Sequence, residues 1–233
     1  QVKYIASIDV DVPNPEKLLK RLHNNNVMLT NTAQYRFPDP GNVKMTYRPV
    51  VIGTGPGGLF AALYLARAGY RPVVFERGMD VDRRMEHIER FWKGEEGLDP
   101  NCNVQFGEGG AGTFSDGKLN TLIKDKDGRG RHVLSIFVEN GAQPEILYEA
   151  KPHIGTDVLS NVVKQMRKKI IQLGGEVRFE SRVETFRTEN GALTGVILSD
   201  GSVIDTETAV LAIGHSARDT FFKLYESGLH MEA

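Results

Sequence analysis

Val50-Val51-Ile52 runs directly into Gly53-Thr54-Gly55-Pro56-Gly57-Gly58 and then into a nearly all-apolar stretch at 59–68, a succession that few folds accept. The β-branched run reads as a short buried strand, the apolar stretch as a helix closed by Gly69, and Val73-Val74-Phe75 as a second strand. Strand, helix and strand in that order require a parallel pair with a crossover. Gly53, Gly55 and Gly58 match G-x-G-x-x-G at the strand-to-helix turn. In that setting Gly53 permits the tight turn, Gly55 removes a side chain from in front of a pyrophosphate, and Gly58 lets helix and strand approach. Backbone amides and the positive helix end then face the phosphates. Glu76 ends the second strand 23 residues after Gly53, near the offset of roughly 20 at which an acid accepts hydrogen bonds from ribose hydroxyls and disfavours a 2′-phosphate. Taken singly, the glycines also suit a plain turn and Glu76 a solvated strand end. The combined context points to a dinucleotide.

Around this unit the chain divides in two. Residues 1–47 read as a small α/β unit, with a strand-like Tyr4-Ile5-Ala6-Ser7-Ile8-Asp9-Val10 and a helix started by Asn14-Pro15 that carries Leu18, Leu19 and Leu22 on one side. Asn24-Asn25-Asn26 ends that helix, and Phe37-Pro38-Asp39-Pro40-Gly41 marks a boundary. Residues 48–233 form the second part. There, Asp80 caps an amphipathic helix with Val81, Met85, Ile88 and Trp92 at helical spacing, ending at Gly94. Another helix spans about 157–173, with Leu159, Val163, Met166 and Ile170 inward and Gly174-Gly175 as its stop. From Glu176 to Thr208, Asn190-Gly191 and Asp200-Gly201 read as two-residue hairpin turns in an antiparallel meander. The apolar strand Ala209-Val210-Leu211-Ala212-Ile213 then ends at Gly214, which a parallel sheet places on the same edge as Gly53 and Glu76.

A second glycine pattern, at Gly107, Gly109 and Gly112, is not a second Rossmann turn, because the polar, glycine-broken Thr113-Phe114-Ser115-Asp116-Gly117 cannot be a crossover helix. Such a loop can still present consecutive amides to an anion, or simply be a surface loop. The single Cys102 excludes an intrachain disulfide and a multi-cysteine metal site, and no metal is expected. Cys102 and His215 are the weak catalytic candidates, each weighed against an ordinary structural role; Asp116, Lys118 and Arg218 are further cleft candidates. With 29 Lys+Arg against 30 Asp+Glu, the chain lacks the positive field that non-specific nucleic-acid binding uses. The run Lys124, Lys126, Arg129, Arg131 and His132 is interrupted by Asp125 and Asp127 and reads better as a solvated loop. No bilayer-spanning apolar run exists, and Gln1 begins neither a start methionine nor a signal segment, so the expectation is a cytoplasmic fragment with no membrane partner.

Val50 through Gly58, Glu76-Arg77-Gly78 and Ala209 through Gly214 resemble the FAD-binding domain of the glutathione-reductase-like flavoproteins with two dinucleotide-binding domains. Asn103 through Leu119 and Gly214 through Thr220 are similar to a bacterial family of FAD-dependent dehydrogenases. The resemblance implies an α/β fold, a Rossmann-like FAD-binding domain with a parallel sheet plus an antiparallel meander, preceded by the small α/β unit. It implies that Gly53, Gly55, Pro56, Gly57 and Gly58 line the pyrophosphate, that Glu76 and Arg77 meet the adenosine ribose, and that Val183 bonds adenine through its backbone. Gly109, Gly110, Ala111, Gly112 and Thr113 would approach the pyrophosphate or ribityl chain, with Gly214 on the same edge. A further carboxy-terminal segment of that superfamily, whose Gly-Asp contacts the ribityl chain, has no counterpart before Ala233. The implied activity is flavin-mediated hydride or electron transfer, with NADH or NADPH as a candidate donor and the substrate unnamed. Three alternatives stay open: a plain NAD-binding dehydrogenase domain, a flavoprotein acting on RNA, and a non-catalytic nucleotide-binding module. Oligomeric state is not legible.

Overall fold

The computed structural model describes residues 5–30, 34–119, 121 and 123–232. Its parallel sheet has β1 (Val50–Ile52), β2 (Val73–Phe75), β3 (Glu176–Arg178) and β7 (Ala209–Leu211) in the order β3-β2-β1-β7. A separate antiparallel sheet holds β4 (Val183–Glu189), β5 (Ala192–Leu198) and β6 (Val203–Asp205). The main helices are α2 (Pro56–Arg67), α3 (Val81–Trp92), α4 (Arg129–Glu139) and α5 (Thr156–Gln172), with α1 (Pro15–Leu22) and α6 (Arg218–Glu226) at the ends. Among the described residues, no helix is long and apolar enough to cross a membrane.

The two-residue alternation of the strands decides the layers. Val51 and Val74 face one side and pack with Leu59, Leu63, Met166 and Ile170 of α2 and α5. Val50, Ile52, Val73 and Phe75 face the other and pack with Val183, Val196 and Leu198 of the antiparallel sheet. Burial on both faces explains why β1 and β2 are uninterrupted apolar triplets.

Three sequence expectations need correction here. Glu176–Arg178 is not the first strand of the meander: it pairs parallel with β2, Val73 opposite Glu176, because the helical crossover α5 delivers it to the sheet edge and no hairpin turn precedes it. The second hairpin has a three-residue loop. Gly201 N–H donates to Leu198 O and Leu198 N–H to Ser202 O, with Gly201 at φ 84 as its left-handed residue. The Asn190-Gly191 turn does have both residues left-handed, at φ 50 and 78, as a two-residue loop demands.

The leading segment also departs from its expected form. Residues 5–10 form no strand and Tyr4 lies outside the described residues; Ile5 and Ile8 are 95% and 78% exposed, and the run pairs with no other described strand. The helix α1 starts at Pro15, yet it buries no residue and Asn14 caps it with no side-chain bond. The residues nearer β1 do lean on the domain: Phe37 stacks on Tyr64 of α2 at 4.2 Å, and Thr46 N–H donates to Glu207.

Candidate functional site

The carboxyl ends of β1, β2 and β7 open onto a cleft of about 350 Å³. Gly53 turns the chain out of β1 at φ 99, and a Cβ there would lie 2.5 Å from Ala212 O. Gly58 sits behind the cleft wall, where a Cβ would come within 1.9 Å of Gly53 O. Gly55 is the reverse: among the described residues a Cβ would meet nothing within 4 Å, and the space before it belongs to the cleft. It is the N-cap of α2, with no side-chain cap and no acidic residue in the first turn. By contrast, Asp80 caps α3, accepting from the amides of Asp82 and Arg83. The amides of the first α2 turn, Gly57 and Gly58, have no carbonyl partner four residues back within the helix. An uncapped helix start with a glycine facing open space is suited to an anion.

Of the residues predicted for a cofactor, Gly53, Gly55, Pro56, Gly57, Glu76, Arg77, Gly110, Ala111, Val183 and Gly214 border this cleft. Gly58, behind the wall, does not border it, and neither do Gly109, Gly112 and Thr113. Thr113 is fully buried, a Cβ on Gly109 would meet its methyl group at 2.4 Å, and Gly112 faces Leu159 of α5. These three shape the loop from behind. The segment Gly110–Phe114 is one short 3₁₀ turn, in keeping with a loop that is not a crossover helix.

Glu76 borders the cleft, but its carboxylate is already committed. Oε2 accepts from the Thr54 amide at 2.8 Å and the Thr54 hydroxyl at 2.6 Å; Oε1 accepts from the amides of Gly78 at 2.9 Å and Gly107 at 3.1 Å. A carboxylate offers about four acceptor positions, so a ribose hydroxyl reaches Glu76 only by sharing or replacing one of these bonds. Arg77 lies over the Phe106 ring at 4.6 Å and pairs with Asp219 at 2.6 Å.

The glycine-rich loop is held by two further charged groups. Arg84 on α3 is fully buried, and its guanidinium donates to backbone carbonyls of Asn103, Glu108 and Gly110 and to the Thr113 hydroxyl. Burial pushes its pKa down to about 10, opposed by the charges of Glu76 and Glu108, so it stays protonated at neutral pH. Glu108, also fully buried, accepts from the Val81 amide at 2.8 Å. Its other oxygen is 2.9 Å from Arg167 Nε, but out of line for a hydrogen bond. Burial pushes the Glu108 carboxyl up to about 7 against the pull of Arg167.

The catalytic candidates separate. Cys102 is buried, accepts a weak hydrogen bond from the Met79 amide at 3.4 Å, has its thiol pushed up by burial, and does not border this cleft. His215 does border the cleft, with Nε2 3.4 Å from Ser216 Oγ. Asp116 and Lys118 are exposed and pair with each other at 2.5 Å away from the cleft, and Arg218 is exposed and off it as well. Sequence reasoning missed Gln105, Phe106 and Arg182, which line the cleft, and Arg84, which does not. Arg84 had one signal: it stands three residues after Val81 and four before Ile88, on the apolar stripe of α3.

Residues 51–104 match the family described as NAD(P)-binding Rossmann-like domain. The chain is 46% identical over 232 residues to an uncharacterized protein of Clostridium beijerinckii, covering all of this chain and 43% of that protein, so it spans less than half of that relative's length. Among solved structures it is similar to Thermovibrio ammonificans THI4, at 20% identity and TM-score 0.49 over 79% of this chain and 64% of that one. It is also similar to Lactococcus lactis thioredoxin reductase, at 17% identity and TM-score 0.38 over 71% and 35%. The GidA-related protein of Thermus thermophilus is similar at 13% identity and TM-score 0.40, over 72% and 53%. The Rossmann-like match covers β1 from Val51, the glycine turn, α2, β2, Glu76 and α3, the segment that builds one wall of the cleft.

Proposed function

We propose that the cleft holds the adenosine diphosphate half of FAD and that residues 48–233 are the cofactor-binding part of a flavin-dependent oxidoreductase. The observation that carries this reading is the pairing of a sealed Gly58 with an open Gly55 at the uncapped start of α2. The residues present fit the group. The amides of Gly57 and Gly58 would face its diphosphate, with Gly110 and Ala111 closing over it from the glycine-rich loop. Arg77, Glu76 and the backbone of Val183 line the adenosine end, and Gly214 and His215 lie where β7 finishes. The flavin, when bound, supplies hydride or electron transfer; the chain supplies position and electrostatics. The antiparallel sheet packed on the back of β1 and β2 favours this cofactor over a plain dehydrogenase domain.

A second reading places a nicotinamide dinucleotide in the same cleft, favoured by the description of the matching family. The two are separated by adding FAD and NADH to the purified chain and following visible absorbance and nicotinamide fluorescence. FAD retained, with NADH failing to displace it, supports the first reading. Tight NADH binding to a folded chain that takes up no flavin overturns it.

A further inference from the structure

Burying a guanidinium costs several kcal/mol unless each donor finds an acceptor, and Arg84 meets that demand without a hydrogen-bonded carboxylate. Its Nε and Nη2 donate to Asn103 O at 3.1 and 2.9 Å; its Nη1 donates to Glu108 O at 2.7 Å, Gly110 O at 2.9 Å and Thr113 Oγ1 at 3.0 Å, with Gly107 O at 3.4 Å. All these acceptors but Asn103 O lie on the glycine-rich loop, and Asn103 stands four residues before Gly107. The loop is shaped around the side chain, since a Cβ on Gly107 would strike Arg84 Cδ at 2.4 Å, and Gly107, Gly109 and Gly110 all have positive φ.

The same loop forms the cleft wall opposite α2. A Cβ on Gly110 would lie 3.3 Å from Gly55 Cα and 3.4 Å from Pro56 Cδ, so the loop abuts the helix start assigned to the diphosphate. Carbonyl oxygens there would repel an anion. Gathering those of Gly107, Glu108 and Gly110 onto one buried cation removes that repulsion.

We infer that Arg84 is a positioning residue for anion binding: it turns the carbonyls of the glycine-rich loop away from the cleft, so that loop and α2 together favour a diphosphate without Arg84 touching it. This rests on the proposed dinucleotide site.

The test compares ADP with adenosine, by calorimetry, in the wild-type chain and in Arg84→Lys, Arg84→Met and Thr113→Val. The expected result is a selective loss. ADP affinity falls about 30-fold in Arg84→Met, about tenfold in Arg84→Lys, which keeps the charge without the fork, and about threefold in Thr113→Val, while adenosine affinity stays within about threefold throughout. If Arg84→Met does not fold, the selectivity of Arg84→Lys and Thr113→Val decides in the same way. Equal weakening of ADP and adenosine, or an unchanged preference for ADP in every folded variant, overturns the inference and leaves the dinucleotide site standing. A wild-type chain with no preference for ADP overturns both.

Discussion

A Cβ on Gly58 would lie 1.9 Å from the carbonyl oxygen of Gly53, so the first turn of α2 rests against the end of β1 with no room for a methyl group. Gly55, in the same turn of chain, faces open space. The two glycines of one motif therefore make opposite predictions. Gly58→Ala forces helix and strand apart and should cost about 2–3 kcal/mol in a denaturant titration. Gly55→Val should leave the unfolding midpoint within the usual range for a surface change and yet abolish dinucleotide retention. Retention of cofactor by a folded Gly55→Val chain would contradict the role given to Gly55.

Glu76 joins three loops through its contacts to Thr54, Gly78 and Gly107. Glu76→Gln replaces one accepting oxygen by an NH₂ group aimed at existing donors, and should destabilise the chain by about 2–4 kcal/mol. Hydrogen exchange should quicken at Thr54, Gly78 and Gly107 together. Protection unchanged at all three would mean that the carboxylate is not their shared anchor.

Glu108 gives the fold a pH dependence of known sign. Its carboxyl is raised by burial from 4.5 to about 7, so the folded chain binds more protons than the unfolded chain between those values. That contribution to stability is fully present below the unfolded value and is lost as pH rises through about 7. Glu108→Gln should flatten the fall in stability between pH 5 and pH 8 by an amount on the order of 3 kcal/mol relative to wild type. Parallel pH profiles for the two proteins would remove Glu108 as the titrating group.

The buried Cys102 thiol should resist iodoacetamide in the native chain at pH 8 and react on unfolding. Cys102→Ser should keep cofactor retention. Rapid native-state alkylation, or loss of retention in the serine variant, would restore a functional part for this residue.

The βαβ unit was legible because each of its features has a local cause: the apolar triplets at 50–52 and 73–75, the glycine spacing, and the Asp80 cap all sit where the sequence places them. Cleft membership was legible for residues next to strand ends, such as Glu76 and Gly214, because parallel topology fixes that edge. What could not be read was set by non-local packing. Glu176–Arg178 has the same local pattern in either sheet, and only its pairing with β2 decides. Residues 5–10 carry a strand-like pattern with no described strand beside them. Glu76 looked like a free acceptor because its donors Thr54 and Gly107 are distant in sequence, and Gly109, Gly112 and Thr113 looked like lining because a glycine run does not say which side faces out.

A crystal structure of the chain soaked with FAD decides whether the start of α2 holds the dinucleotide. Diphosphate oxygens are expected at roughly 3 Å from the amides of Gly57 and Gly58, with adenine beside the backbone of Val183. Well-defined FAD bound anywhere other than the start of α2, with that helix end facing only water, would contradict that placement.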